Sequence, residues 1–120
     1  MRNKIQSSLI EFTALCISIR KHIKSSFEGD HLSKQLIRSA SSAALNYGEA
    51  QSAESKNDFI HKQSISLKEL RESYINLLII KEAKIYKLTD VIDQAIDEAD
   101  QLIRIFVTSI KTSQQNNRKG

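Results

Sequence analysis

Apolar residues recur along the chain at steps of three and four, the spacing that gathers side chains on one face of a helix. Ile5, Leu9, Phe12, Cys16, Ile19 and Ile23 form the first such stripe, and Leu32, Leu36, Ala40, Ala43, Tyr47 and Ala50 the second. A third runs through Phe59, Gln63, Ser66, Leu70, Tyr74 and Leu77, flanked by Ile60, Leu67 and Leu78. Ile92, Ala95, Ala99, Leu102, Phe106 and Ile110 make the fourth. No stretch alternates in the manner of a strand.

The joints between stripes carry their own signals. "FEGDH" interrupts the first two, with Gly29 as the break and Asp30 as the N-cap of the second helix. Ser55 and Asp58 form an S-x-x-D capping box, which starts the third helix at Lys56. Thr89 or Asp90 caps the fourth, and Asp90 and Asp93 suit its positive end. These signals predict helices over 3–26, 31–52, 56–86 and 90–111, within one domain spanning 1–110. The remaining segment, 111–120 ("KTSQQNNRKG"), loses the pattern and is expected to fray. Helices joined by short loops fold back as antiparallel neighbours, so the expected fold is all-α: an up-down-up-down four-helix bundle.

Composition supports long helices. The 120 residues include no proline and three glycines, one of them terminal. A single cysteine, Cys16, cannot form an intramolecular disulfide and suits a reducing compartment. The N-terminal segment has a basic start and an apolar stretch, but Glu11 and several hydroxyl residues interrupt it and no small-residue cleavage site follows. No run approaches the ~20 apolar residues of a membrane span. The expectation is a soluble cytoplasmic protein without a membrane partner.

Two helices carry more apolar residues than one core stripe uses. Ile10 and Ile17 lie off the first stripe, and Ile65, Ile75 and Ile79 lie roughly opposite the third. The outer face of the fourth helix is polar by contrast (Asp90, Asp93, Gln94, Asp97, Glu98, Asp100 and Gln101), with only Ile105 out of place. In an up-down bundle the first and third helices occupy opposite corners. Two different apolar faces on opposite sides favour a head-to-tail contact between copies, which closes into a ring or runs on as a filament. A homo-oligomeric ring is expected.

The segment "NYGEAQSAESKNDFIHKQ", residues 46–63, crowds Asn46, Glu49, Glu54, Asp58 and His61 together. Di-metal bundles use inward glutamates and paired Glu-x-x-His motifs. Glu28 and His31 have that spacing but fall in the expected loop, Asp58 and His61 have it once, and the first and fourth stripes contain no carboxylate. No metal or cofactor is therefore expected. Glu49 and His61 can meet across the turn, yet no nucleophile or phosphate loop accompanies them, so no catalytic residue is assigned. The antiparallel turn places Glu49 near His61 and Lys62, and Arg38 near Glu69 and Glu72. Asn46 is expected to bond across to the third helix.

The stretch "LIRSASSAALNYGEAQSAESKNDFIHKQSISLKELRES" resembles the signature of the four-helix-bundle proteins encoded in 23S ribosomal RNA intervening sequences. The matching positions are Arg38, Asn46, Glu49, Ser55, Lys56 and Phe59, continued by Lys68, Glu69 and Leu70. The departure is Ala50, where many members have glycine. The resemblance implies a bundle that assembles as a homopentamer. It also implies kinship with the accessory variability protein of diversity-generating retroelements, a pentameric bundle that binds nucleic acid and a reverse transcriptase.

The formal charge of +4 is unevenly spread. Residues 56–88 carry seven basic and four acidic groups, while 89–110 carry one and five. Arg20, Lys21 and Lys24 close the first helix, and Lys111, Arg118 and Lys119 sit in the tail. Basic excess favours phosphate contact, and a ring multiplies each patch. These six cations are the expected contacts to RNA or DNA, made without base reading. The competing reading is a structural or adaptor ring that docks a protein partner.

Overall fold

The computed structural model describes residues 3–119, with side chains through residue 116. Its helices are α1 (Lys4–Lys21), α2 (Phe27–Ala50), α3 (Lys56–Glu82) and α4 (Thr89–Lys119), and no strand occurs among the described residues. α1 and α3 each pack against α2 and α4, and neither diagonal pair brings its backbones into contact among the described residues. That is the four-helix bundle the periodicity predicts.

Side-chain bonds between helices show the antiparallel register directly. Asn3 Nδ2 donates to the Tyr47 hydroxyl, Thr13 Oγ1 to the Ala40 carbonyl, and Arg20 pairs with Asp30. Between α2 and α3, Arg38 reaches Glu69 and Glu72, Ser66 Oγ donates to the Ala43 carbonyl, and Lys62 reaches Glu49. Gln63 Nε2 donates to Ser109 Oγ and Lys81 pairs with Asp93 between α3 and α4. Each rung climbs one helix as it descends the next.

The stripes read from the sequence form the core. Leu9, Phe12, Cys16 and Ile19 of α1 are fully buried, as are Leu36, Ala40 and Ala43 of α2, Leu70 and Leu77 of α3, and Ile92, Ala95 and Ala99 of α4. Tyr47 meets Phe106 edge-on at 5.6 Å between ring centroids, tying α2 to α4.

Several boundaries differ from the periodicity. α1 ends at Lys21 rather than 26, and α2 begins at Phe27 rather than 31, because Ser26 and not Asp30 is the N-cap. Ser26 Oγ accepts from the Gly29 amide at 3.0 Å, so the expected break is the first turn of α2. Gly29 serves a close approach there: a Cβ would lie 2.8 Å from Ile23 Cγ2 and 2.9 Å from the Lys24 carbonyl oxygen. α3 stops at Glu82, since Lys84 takes φ 59°, the left-handed conformation that ends helices. The chain then turns inward and buries Tyr86.

α4 differs most. Thr89 and Asp90 are its first helical residues rather than its caps, and it continues through the expected frayed segment to Lys119. Nothing buried follows Ile110 among the residues with described side chains, so residues 111–116 are largely solvent-exposed helix. Periodicity reports burial, and a helix that leaves the core loses its stripe without losing its backbone bonds. No proline or internal glycine stands in its way.

Candidate functional site

The motif-bearing residues of α2 and α3 build a polar seam. Ser39 and Ser73 hydroxyls lie 2.7 Å apart in the interior, and Ser73 Oγ donates to the Glu69 carbonyl. Small residues (Ser39, Ala40, Ala43) let the two helices approach closely enough for Ser66 to reach a carbonyl of α2. At the rim, Arg38 forks onto Glu69 at 3.2 Å and Glu72 at 2.8 Å. The Glu69 carboxylate is nearly buried while Arg38 is half exposed, so the guanidinium bridges interior and solvent. Both carboxylates raise the Arg38 pKa, the hydrogen bond to Glu72 most strongly.

Lys62 and Glu49 meet at 2.8 Å across the α2–α3 turn, as the antiparallel reading requires. His61 is exposed beside them. Asn46 does not bond across the seam: its amide nitrogen donates back to the Ser42 carbonyl and hydroxyl within α2. The i−4 carbonyl offers the amide an acceptor within its own helix. Phe59 is half-buried at the start of α3, and Asp58 sits where the Ser55 cap holds its amide.

No group of three His, Cys, Asp or Glu side chains among the described residues is arranged to hold a metal. Burial, with a smaller contribution from Glu98, pushes the Cys16 thiol from 9.0 up to about 12, so it stays protonated at neutral pH and is a poor nucleophile. The seam orders the bundle.

The exposed surface is more informative. Ile75 and Ile79 are 54% and 46% exposed and line a groove of about 650 Å³ along the outer face of α3, with Lys68 and Arg71 beside them. Lys68 and Arg71 make no ion pair among the described residues. Ile65 does not belong to this face and is half-buried. Two heptads of straight helix drift by roughly 40°, enough to carry Ile65 around toward α2. Ile10 and Ile17 are exposed on α1, as expected. Ile105, 43% exposed, lies in a separate groove between α1 and α4 together with Ser8, Glu11, Glu98 and Gln101.

The expected cation set is divided by the topology. Arg20 is held by Asp30 at 3.0 Å and is not free. Lys21 and Lys24 are exposed at the end of the bundle that carries the α1–α2 and α3–α4 loops. Lys111 stands at the opposite end, since α4 runs antiparallel to α1. The side chains of Arg118 and Lys119 lie outside the described residues. The exposed cations that share the end of Lys21 and Lys24 are Lys84 and Lys87 of the α3–α4 loop. Their i, i+3 spacing with Lys81 was legible in "KEAKIYK", but Lys81 is taken by Asp93 at 2.6 Å.

No helix among the described residues is long and apolar enough to cross a membrane. No curated protein matches the sequence. A solved structure from Bacteroides thetaiotaomicron, described as a protein with unknown function from the S23 ribosomal protein family, is similar at 27% identity with a TM-score of 0.76. The similarity covers 89% of this chain and 98% of that one. The model of the 23S rRNA-intervening sequence proteins matches residues 2–108, which include α1, α2, α3, the N-terminal part of α4 and the Arg38–Glu69 seam. The chain belongs to the 23S rRNA-intervening sequence protein family.

Proposed function

We propose that the protein is a non-enzymatic homo-oligomer, a ring of bundles that holds RNA or DNA by its phosphates. The observation that carries the nucleic-acid reading is the gathering of Lys21, Lys24, Lys84 and Lys87 at one end of the bundle, exposed and without an ion-pair partner among the described residues. The apolar groove of α3 supports self-association. A rotation about an axis parallel to the helices puts the same end of every subunit on one face of the ring. Four lysines per subunit then become an annulus of cations, and weak phosphate contacts add through multivalency. Homopentamers, the assembly implied by the family resemblance, fit this arrangement.

The test is a salt titration of binding to structured RNA and to duplex DNA, with the oligomeric state followed in parallel. Wild-type binding should weaken steeply with salt, the log–log slope rising by roughly one for each phosphate neutralised. Replacing Lys21, Lys24, Lys84 and Lys87 by Gln should flatten that slope and lower affinity about equally for all sequences, as expected of contacts that position without reading bases. Lys111→Gln, at the other end, should change little. An intact oligomer that binds neither polymer at low salt would overturn the nucleic-acid reading and favour an adaptor that docks a protein.

A further inference from the structure

We infer that the α3 groove of one copy receives the acidic α1–α4 groove of the next, in a head-to-tail contact with Lys68 and Arg71 facing Glu11 and Glu98. The inference rests on the self-association proposed above and names its two faces. Both surfaces carry charges that the subunit leaves uncompensated. Lys68 and Arg71 have no carboxylate partner among the described residues, and Glu11 and Glu98 have no cation. Glu98 accepts only a neutral hydrogen bond, from Gln94 at 3.2 Å. Each surface also exposes apolar area to be covered: Ile75 and Ile79 on α3, Ile105 on α4.

Height along the bundle is a second, independent match. Thr13 bonds to the Ala40 carbonyl and Ser66 to the Ala43 carbonyl, which sets the vertical offset between α1 and α3. With that offset, Glu11 stands level with Lys68. The Gln63–Ser109 and Lys81–Asp93 rungs set α4 against α3 and put Glu98 about one turn above Arg71. That is roughly 6 Å along the axis, within reach of an arginine side chain. Rotation about an axis parallel to the helices preserves height, so these faces meet without a vertical shift. The two faces are different, and they are not diametrically opposed: one is the α3 corner, the other the α1–α4 side. A contact of that kind turns as it propagates, the geometry a closed ring requires.

An α3-to-α3 contact would instead bring Lys68 and Arg71 of both copies together, placing like charges across a partly desolvated interface. Charge complementarity therefore selects the α1–α4 groove of a second copy as the occupant.

Charge reversal tests the pairing, with mass read by light scattering at fixed protein concentration and helicity by circular dichroism. K68E/R71E and E11K/E98K should each weaken assembly by roughly tenfold or more in apparent Kd. The chain carrying all four substitutions should recover the wild-type oligomer. Glu98 is half-buried, so Glu11→Lys alone, tested with and without K68E, serves should E98K unfold the bundle. Loss of assembly in K68E/R71E with none in E11K/E98K would overturn the pairing and leave self-association standing. So would failure of the fourfold chain to reassemble. A monomeric wild type would overturn both.

Discussion

Gly29 and Gly48 both lie inside α2, and helix propensity alone says that alanine should improve either position by up to ~1 kcal/mol. Their surroundings separate them. At Gly48 a new Cβ meets only Gln6 Nε2, at 3.2 Å, the far end of a flexible, half-buried side chain that can swing away. Gly48→Ala should therefore stabilise the protein by roughly 0.5–1 kcal/mol. At Gly29 the propensity gain is smaller, because the residue sits in the first turn. The Cβ would fall 2.8 Å from Ile23 Cγ2, 2.9 Å from the Lys24 carbonyl oxygen and 2.9 Å from Ser26 Oγ. A backbone atom cannot rotate aside, Ile23 is packed in the core, and Ser26 is the helix cap. Overpacking costs about 1–3 kcal/mol, and disturbing the cap adds about 1. Gly29→Ala should thus destabilise by roughly 1–3 kcal/mol net. For a chain of this size each kcal/mol is worth about 4 °C. Thermal and urea melts followed at 222 nm, at one protein concentration because association shifts apparent stability, would resolve the two signs. A Gly29→Ala protein at least as stable as wild type would refute the reading of Gly29 as a close-approach glycine.

The Arg38 fork and the Cys16 thiol give two more tests. Arg38→Ala should cost about 1 kcal/mol, discounted for its solvent exposure, because it leaves the nearly buried Glu69 carboxylate without its cation; adding Glu69→Gln should recover part of the loss in a double-mutant cycle, and strictly additive effects would show that the fork carries no coupling. Cys16, raised from 9.0 to about 12, should resist alkylation in the native state at pH 8 and react on unfolding. Raised in the folded state, it contributes stability that is complete below pH 9 and is lost as pH climbs toward 12. The stability gap between wild type and Cys16→Ala should narrow over that window, by at most ~1.4 kcal/mol per pH unit; a constant gap would count against the shift.

The bundle was legible because a core stripe repeats in every helix and the chain has few breakers. The Ser55 cap and the Arg38–Glu69 and Glu49–Lys62 pairs were legible too, since antiparallel helices on a short turn have a single register. Local chemistry was harder to place where several residues compete. Ser26, Asp30 and Gly29 all carry boundary signals within five residues, and the structure gives the cap to Ser26. Asn46 had an acceptor in its own helix, which no pattern of spacing ranks against one across the seam.

Periodicity and composition by themselves determined the number of helices, their order and their inward faces, because those follow from 3.6 residues per turn and from which side chains leave water. Distances between residues far apart in sequence were decided only by the tertiary structure. Arg20 and Lys111 are both basic and both near helix ends, yet the up-down topology puts them at opposite ends of the bundle and gives Arg20 to Asp30. Ile65 shares a sequence spacing with Ile79, yet helical drift and the neighbouring α2 take it off the exposed face. Glu11 and Glu98 come together in one groove, although 87 residues of chain separate them, because α1 and α4 close the bundle side by side.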